Sequence, residues 1–312
     1  MRLTQVRFNL STFMQTVVGK MKVTNFHLTD KPVLTARCTL PGFSFTYLDR
    51  HGNYRMDDLT KYGILARHHL VNRPFNNKTF MDYNEATRSG LVFTSSIHID
   101  ISPDLHNRDV DKSTIDAAVQ HGYVGNSSET SRFLLFLPGD TKNPLYQAET
   151  GCILVDPATR KPKPFPNWFK EKYRKGGFTD KPLILKPFER PPVTFINKIK
   201  TMWLETDANN HVAFPAFIAY STNAIHAAIK DKKTAAMRGL TEEIILNGLK
   251  NLQIVNFQEC LEGDHLDIHV WQDAADKHVV YCSAEKGSKK IAQIKFSYYD
   301  TCQHDKKYFK LS

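Results

Sequence analysis

The segment Asp207-Ala208-Asn209-Asn210-His211-Val212 carries a carboxylate, an amide and an imidazole at alternate positions. In an extended backbone, side chains at i, i+2 and i+4 point to the same side, so these three groups could act on one bond. The stretch that follows, Phe214 to Ile229, has no charged residue and predicts a buried helix, because it is apolar nearly all round. A helix start offers free backbone N–H groups and a partial positive charge. The pattern therefore predicts a reaction centre at the start of this helix.

A further carboxylate follows in the segment Leu252 to Cys260. Its apolar residues Leu252, Ile254 and Phe257 are typical of a strand whose alternation breaks near the end, and Glu259 stands at that end beside Cys260. A role for Cys260 as a nucleophile would require a nearby base and a lowered pKa. Glu259 is therefore a candidate carboxylate at this strand end, with Glu262 as its local rival; Glu262 stands beside Gly263 and Asp264, which favours a place in the turn.

The pattern Asp-x-Asn-x-His-Val before a long apolar helix, together with a downstream Glu-Cys, resembles the acyl-carrier-protein and acyl-CoA thioesterases of the hotdog fold. The resemblance covers roughly residues 194–302 well and the first half of the chain in outline. It implies an enzyme of lipid metabolism, a hydrolase of fatty acyl thioesters, whose candidate catalytic residues are Asp207, Asn209, His211 and Glu259. It requires no cofactor and no metal.

The roles that the resemblance implies leave one alternative open. Either Asp207 or Glu259 would activate water or attack the thioester carbonyl, while Asn209 and His211 would hold or polarise the reacting groups. Backbone N–H groups near Phe214 to Phe217 would form an oxyanion site. The chain departs from the family at Ala213, where a second polar residue is usual, so the manner of holding the substrate carbonyl stays open.

The order of predicted elements repeats along the chain. Residues 1–156 and 193–312 each read as a strand, a long helix and a run of antiparallel strands, with the second unit carrying the Asp-x-Asn-x-His motif. Residues 157–192, rich in Pro and Lys, predict an extended crossover linker. We expect an α+β double hotdog with two antiparallel sheets, each wrapped around a long central helix. Residues 104–130 are polar and predict an insertion with a short helix near 114–121.

In this division of labour the first unit would hold the acyl chain and the second would supply the chemistry. The first unit has only Asp49 and Asn53 at the place of the motif, and no Glu-Cys strand. Bulky apolar residues of the first unit are candidate walls of the acyl pocket. They are Phe43, Phe45, Leu59, Leu65 and Phe93.

Composition limits the partners and the compartment. The formal net charge of +10 comes without a nucleic-acid motif, and acyl carrier proteins or coenzyme A phosphates would account for it. No apolar run reaches the length of a membrane helix, so we expect no stable membrane insertion. Five widely spaced cysteines favour a reducing, cytoplasmic setting. The acid-poor, basic residues 1–29 leave a mitochondrial transit peptide open. The subunit arrangement, monomer or homodimer, is also open.

Three other interpretations were weighed against a thioesterase. A non-catalytic acyl-binding hotdog protein would fit the change at Ala213. An enoyl-thioester hydratase of the same fold is disfavoured, because that family has one more residue before its His and a Pro after its Asn. A metal site at His265, Asp267 and His269 is disfavoured because Leu266, Ile268 and Val270 alternate into the core, which predicts that the polar three face water.

Overall fold

The computed structural model describes residues 23–50, 52–76, 79–207, 210–231 and 239–301. Within these ranges eleven strands form a single antiparallel sheet in the spatial order β1-β2-β4-β5-β6-β3-β8-β11-β10-β9-β7. The strands are β1 Thr24–Thr29, β2 Thr35–Pro41, β3 Leu91–Ile101, β4 Thr114–Val124, β5 Ser128–Phe136, β6 Tyr146–Val155, β7 Phe195–Lys200, β8 Leu249–Asn256, β9 His265–Gln272, β10 Val279–Lys286 and β11 Lys289–Tyr298. Strand β1 belongs to the stretch that was open to a transit peptide, and it pairs with β2 at the edge of the sheet.

Two seventeen-residue helices, α1 (Met56–Asn72) and α5 (Phe214–Lys230), pack on the sheet and against each other. Helix α5 buries most of its length and carries its first charge at Lys230, as the uncharged sequence predicted. Helix α1 is amphipathic and turns Leu59, Ala66 and Leu70 inward. The shorter helices are α2 Tyr83–Thr87, α3 Pro103–His106, α4 Asn167–Tyr173 and α6 Glu242–Leu246, and 3-10 turns lie at Phe45–Tyr47, Phe80–Asp82 and Trp203–Glu205.

The two halves of the molecule are joined edge to edge through β3 and β8. We call β1–β6 with α1 the first half and β7–β11 with α5 the second half. Ile97 pairs with Ile254 across the junction, and Ile99 pairs with Leu252; all four side chains are buried. The prediction of two sheets therefore differs from the structure, which has one continuous sheet. The pairing gives each of two otherwise open edge strands a hydrogen-bonding partner.

The strand order is the same in both halves when it is followed from the outer strand inward. It runs β2-β4-β5-β6-β3 in the first half and β7-β9-β10-β11-β8 in the second, with β1 as an addition at the outer edge. Helix α1 contacts β2 and β4, and α5 contacts β7 and β9, which occupy the corresponding positions. Each half is thus a long helix held against five strands in one order.

The prediction of a polar insertion with a helix near residues 114–121 is wrong. Thr114–Val124 forms β4, between β2 and β5. Ile115, Ala117 and Val119 fill the main core, while Ala118 packs on the opposite face with Leu134 and Phe136. Because side chains on both faces of this strand are buried, its sequence lacks the polar–apolar alternation of a half-exposed strand.

The segment 157–192 is more structured than an extended linker. It contains α4, which buries Phe169 and Tyr173. Further along, the N–H of Phe188 donates to Gln293 Oε1 at 3.1 Å, and Arg190 Nε donates to Glu285 Oε1 at 3.0 Å. The segment therefore crosses the sheet face opposite the long helices.

Part of the surface of β9 that was predicted to face water is buried, in part by the segment 157–192. His269 was predicted to face water with His265 and Asp267, but it is 7 % exposed. Its Nδ1 lies 2.8 Å from Thr194 Oγ1, and its Nε2 lies 3.7 Å from Glu285 Oε2. Burial of the imidazole lowers the pKa of His269, which the positive charge of Arg190 lowers further. The polar face of β9 is thus partly an internal surface.

The junction between β3 and β8 provides a test of the single sheet. Ile254→Ala should lower the free energy of unfolding by about 2–5 kcal/mol, because it leaves a cavity where the two halves meet. Urea unfolding followed by circular dichroism should show one transition, shifted as a whole. Ile184→Ala, at a side chain that is 74 % exposed, is the control and should change stability by less than about 0.5 kcal/mol. Separate transitions of the two halves would contradict the fold.

Candidate active site

Asp207 and His211 close a five-residue turn immediately before α5. The N–H of Asp207 donates to the carbonyl of His211 at 2.7 Å, and the N–H of His211 donates back to Asp207 Oδ1 at 3.2 Å. Thr206 and Val212 form an antiparallel bridge at the base of the turn. Asn210 has a φ of 61°, a left-handed conformation that Asn tolerates better than most residues. The extended backbone in which Asp207 and His211 would point to one side is therefore not formed, because the two residues bond to each other. Asn209 lies outside the described residues.

The turn places His211 against Glu259, which lies in the loop after β8. His211 Nε2 is 3.3 Å from Glu259 Oε2. The backbone fixes the two segments together, since the N–H of Val212 donates to the carbonyl of Cys260 at 2.8 Å. The side chain of Glu259 is 35 % exposed and that of His211 is 18 % exposed, so the pair lies at the surface of the core within reach of a ligand. Of the predicted site residues, the structure brings His211 and Glu259 into direct contact.

The other oxygen of Glu259 binds a residue of the segment 157–192, which joins the two halves. Arg160 Nη1 donates to Glu259 Oε1 at 3.2 Å. Arg160 follows β6 in a tight turn, where Asp156 Oδ1 accepts the N–H groups of Ala158 and Thr159. In the sequence Arg160 belongs to the basic run that was interpreted as a linker. The turn could have been predicted from Asp156, but nothing in the sequence indicates a bond between residues 160 and 259.

The start of α5 differs from the start of α1 in its charges. Helix α1 has Asp57 and Asp58 in its first turn, whereas the first turn of α5 contains no acidic residue. An acid at this position neutralises the positive end of the helix, so α5 leaves that end available to an incoming negative charge. Pro215 has no N–H, and the N–H of Ala216 donates to Ala213 at 2.9 Å.

These contacts narrow the backbone donors of the expected oxyanion site to Phe214, because the N–H of Phe217 already belongs to the hydrogen bonds within the helix. Ala213 occupies the cap position of α5 without a side-chain cap. Its N–H donates to the carbonyl of Glu205 at 2.9 Å, so its backbone belongs to the turn that supports the helix start. The family's usual polar side chain at this position has no counterpart in Ala213.

A second carboxylate near the helix start, that of Glu205, was not anticipated from the sequence. Glu205 Oε2 accepts the hydroxyl of Tyr220 from α5 and, at 2.6 Å, the N–H of Met202. Burial raises the pKa of Tyr220, and the bond to Glu205 raises it further. The contact ties the 3-10 turn at Trp203–Glu205 to the helix and so supports the turn that holds His211.

Cys260 does not have the surroundings of a nucleophile. The residue is 1 % exposed, and its Sγ lies 3.6 Å from Asp264 Oδ2. Burial and the negative charge of Asp264 raise the pKa of the thiol to about 12. Asp264 itself is held by Lys286 Nζ at 2.6 Å and accepts the N–H of Leu261 at 3.0 Å. Cys260 and Asp264 therefore shape the loop that presents Glu259, and Glu262 is exposed in the turn that follows.

The first half contains a structural copy of the turn. The N–H of Asp49 donates to the carbonyl of Asn53 at 2.8 Å, and the N–H of Asn53 donates to Asp49 Oδ1 at 2.9 Å. Leu48 and Tyr54 bridge at its base as Thr206 and Val212 do. Gly52, with a φ of 77°, takes the place of Asn210. The copy begins the same number of residues before its helix, so Asp49 corresponds to Asp207 and Asn53 to His211.

The comparison of the two turns separates shared residues from specific ones. The Asp makes the same backbone hydrogen bond in both, so this bond is part of the turn rather than of any chemistry. His211 is replaced by Asn53 in the first half, and the helix start there carries Asp57. The imidazole, its contact with Glu259 and the acid-free helix start are therefore specific to the second half.

The described part of the chain contains neither a cluster of metal-ligating side chains nor a membrane-spanning helix. Within it, no three His, Cys, Asp or Glu side chains lie close enough together to hold a metal ion. No helix in these ranges is long and apolar enough to cross a bilayer.

Solved structures with the same fold are known, although no protein-family model and no curated protein sequence matches the chain. A Lactobacillus plantarum protein, provisionally named an oleoyl thioesterase, aligns over 86 % of this chain and 97 % of its own, with a TM-score of 0.63 and 13 % identity. The 12:0-ACP thioesterase from Umbellularia californica aligns over 85 % of this chain and 97 % of its own, with a TM-score of 0.60 and 12 % identity. An acyl-ACP thioesterase from Bacteroides thetaiotaomicron aligns over 85 % of this chain and 98 % of its own, with a TM-score of 0.58 and 13 % identity. At these identities the likeness shows the fold, and it agrees with the predicted hotdog architecture.

The burial of Cys260 predicts that its thiol reacts slowly in the folded protein. In a Cys302→Ser background, native protein at pH 8 should react with a thiol reagent such as Ellman's reagent far more slowly than unfolded protein. The reason is that burial raises the pKa of Cys260 to about 12, so little thiolate forms. Cys38, Cys152 and Cys282 are also buried, with pKa values raised to about 12. Fast labelling that disappears in an added Cys260→Ala variant would show that Cys260 is a reactive thiol.

Proposed function

We propose that the protein is a thioesterase that hydrolyses fatty acyl thioesters, carried by coenzyme A or by an acyl carrier protein, to free fatty acids. The observation that carries the proposal is the contact of His211 with Glu259 beside the acid-free start of α5. A general base next to unneutralised helix N–H groups is the arrangement that attack on a carbonyl needs. The fold shared with the three thioesterases named above supports the same reaction.

In the proposed reaction Glu259 is the base. Glu259 accepts a proton from a water molecule as the water oxygen bonds to the thioester carbon, and the carbonyl oxygen gains the negative charge. The helix start, with the N–H group of Phe214, stabilises this oxyanion. When the C–S bond breaks, the thiolate takes up the proton and the fatty acid leaves. His211 holds the Glu259 carboxylate and the water in line, and Arg160 fixes the other oxygen of Glu259.

Asp207 has a supporting role in this proposal. Its Oδ1 accepts the N–H of His211, as Asp49 accepts that of Asn53 in the half that lacks the imidazole. The sequence left open whether Asp207 or Glu259 activates water, and the contact of Glu259 with His211 favours Glu259. Asn209 remains a candidate for polarising the thioester carbonyl on the ground of the sequence alone.

We further propose that residues 1–156 and 193–312 are two hotdog units joined by residues 157–192, and that the first unit accommodates the acyl chain. Leu59 is buried at 0 % exposure and fits a pocket wall, whereas Leu65 is 39 % exposed and does not. The net charge of +10 favours an acidic or phosphorylated acyl carrier. The four described cysteines are buried free thiols, which supports a reducing, cytoplasmic compartment. The homodimer stays an open alternative.

Glu259→Gln should lower kcat for acyl-CoA hydrolysis by about 100-fold or more with little change in KM, because a base acts chiefly in the transition state. Thiol release measures the rate. Glu262→Gln, three positions along the same loop, is the matched control and should keep the full rate. Asp207→Asn can keep the hydrogen bond of the turn and should lose less activity than Glu259→Gln. If Asp207→Asn is the more damaging change, Asp207 rather than Glu259 is the base.

Arg160→Met should lower kcat by about tenfold, equivalent to about 1.4 kcal/mol, because Glu259 loses the cation that orients it. Arg160→Lys, which keeps the charge but not the planar donor group, should fall between this variant and the natural protein. Lys161→Met removes an exposed charge from the same turn and serves as the control. Equal rates for Arg160→Met and Lys161→Met would show that the contact with Glu259 has no part in turnover.

A further inference from the structure

The first half contains a buried polar cluster that the proposed reaction does not use. Its centre is Glu129 on β5, a residue that is 1 % exposed. Arg67 Nη2 from α1 lies 3.6 Å from Glu129 Oε1, and the hydroxyl of Tyr83 from α2 donates to the same oxygen at 3.2 Å. Arg67 Nη2 also donates to Ser131 Oγ at 3.0 Å. The cluster lies on the helix side of the sheet, since α1 supplies the guanidinium.

Two polar atoms of this cluster are buried without a hydrogen-bond partner among the described residues. They are Arg67 Nε, a donor, and Glu129 Oε2, an acceptor. Buried polar atoms in native proteins nearly always have a partner, and an unsatisfied one is costly. A single hydroxyl group could serve both, because it donates one hydrogen bond and accepts others. A carboxylate in this place would be repelled by Glu129, and a cation would be repelled by Arg67.

The cluster and the loop of Glu259 lie on opposite sides of the junction between β3 and β8, and neighbouring residues connect them across it. Glu129 pairs with Cys152 on β6, and Cys152 pairs with Thr94 on β3. Thr94 Oγ1 lies 3.8 Å from Cys152 Sγ. The carbonyl of Thr94 accepts Asn256 Nδ2 at 2.9 Å, and Asn256 is the last residue of β8 before the loop of Glu259.

A row of four residues therefore leads from the loop of Glu259 across the first half: Asn256, Thr94, Cys152 and Glu129. The strands β8, β3, β6 and β5 are neighbours in this order. Three strand spacings amount to roughly 14 Å, a distance that a medium-length acyl chain can cover. An acyl group that enters the first half from the thioester carbon would bring its far end to this cluster.

We propose that Arg67 and Glu129 recognise a hydroxyl group at the far end of the acyl chain, so that the preferred substrates are ω-hydroxyacyl thioesters. The proposal rests on the proposed thioesterase function and specifies its substrate class. The hydroxyl donates to Glu129 Oε2 and accepts from Arg67 Nε, and Tyr83 and Ser131 hold the pair in place. A chain that ends in a methyl group leaves both atoms unsatisfied, and this difference discriminates against it.

The test compares ω-hydroxyacyl-CoA with plain acyl-CoA of equal length, for decanoyl, dodecanoyl and tetradecanoyl chains. We expect kcat/KM to favour the hydroxylated substrate by at least about tenfold at one or more lengths, since a hydrogen bond to a charged group distinguishes such pairs. Arg67→Met/Glu129→Leu should abolish the preference. This double substitution removes both charges together, so that neither is left buried alone.

The control is a second Arg–Glu pair, on β5 and β6. Arg132 Nη1 lies 3.7 Å from Glu149 Oε1, and both side chains are about a quarter exposed. Arg132 is three residues from Glu129 along β5, so it points to the opposite face. Arg132→Met/Glu149→Leu should therefore keep the preference. Glu129→Gln, with the charge removed but the shape kept, provides a variant if the double substitution does not fold.

The outcomes separate this proposal from the proposed function. Equal kcat/KM for hydroxylated and plain chains at every length, or a preference that survives in Arg67→Met/Glu129→Leu and Glu129→Gln, overturns the hydroxyl site and leaves the thioesterase standing. If no thioester is hydrolysed, the thioesterase fails, and calorimetric binding of 12-hydroxydodecanoate against dodecanoate decides. Tighter binding of the hydroxy acid that Glu129→Gln abolishes supports the site, and equal binding overturns it.

Discussion

The closed turn from Asp207 to His211 is the constraint on which the site depends. Two backbone hydrogen bonds and one to the Asp207 side chain join Asp207 to Asn210 and His211, and the bond from Val212 to Cys260 fixes this region to the loop of Glu259. His211 and Glu259 are thereby brought into contact. Helix α5 begins three residues after His211. Arg160 then adds a contact from the segment 157–192, so the chain that joins the two halves also takes part in the site.

The two halves show what the fold alone provides and what the second half adds. Both have the turn, the residue with positive φ and a Tyr at the same place in the helix, where Tyr62 contacts Tyr47 and Tyr220 binds Glu205. Those features belong to the architecture. The differences lie in charge: α1 neutralises its own start with Asp57 and Asp58, and Asn53 replaces the imidazole. In the proposed function, the half without this polar chemistry accommodates the acyl group.

The sequence predicted the long helices well, because their signals are local. The helix expected over Phe214 to Ile229 is Phe214–Lys230, and the long helix expected in the first unit is Met56–Asn72. The prediction failed at β4, which is buried on both faces, and at the join of β3 and β8, since edge pairing leaves no mark on either strand's pattern. The motif and the resemblance made His211 and Glu259 candidates, but the contacts of Glu259 with His211 and Arg160 depend on the tertiary fold. The Asp207 side chain bonds to the backbone four residues on, so the extended backbone that would point the polar side chains of the motif to one side is not formed.

The central claim is that the imidazole in the second turn is what separates a reactive half from an unreactive one. The most direct measurement is thiol release from acyl-CoA by His211→Asn, which gives the second turn the residue that the first turn has in Asn53, alongside Asn53→His. The account predicts that His211→Asn loses hydrolysis while its unfolding transition is unchanged, and that Asn53→His hydrolyses at the rate of the natural protein. Full activity in folded His211→Asn would contradict it.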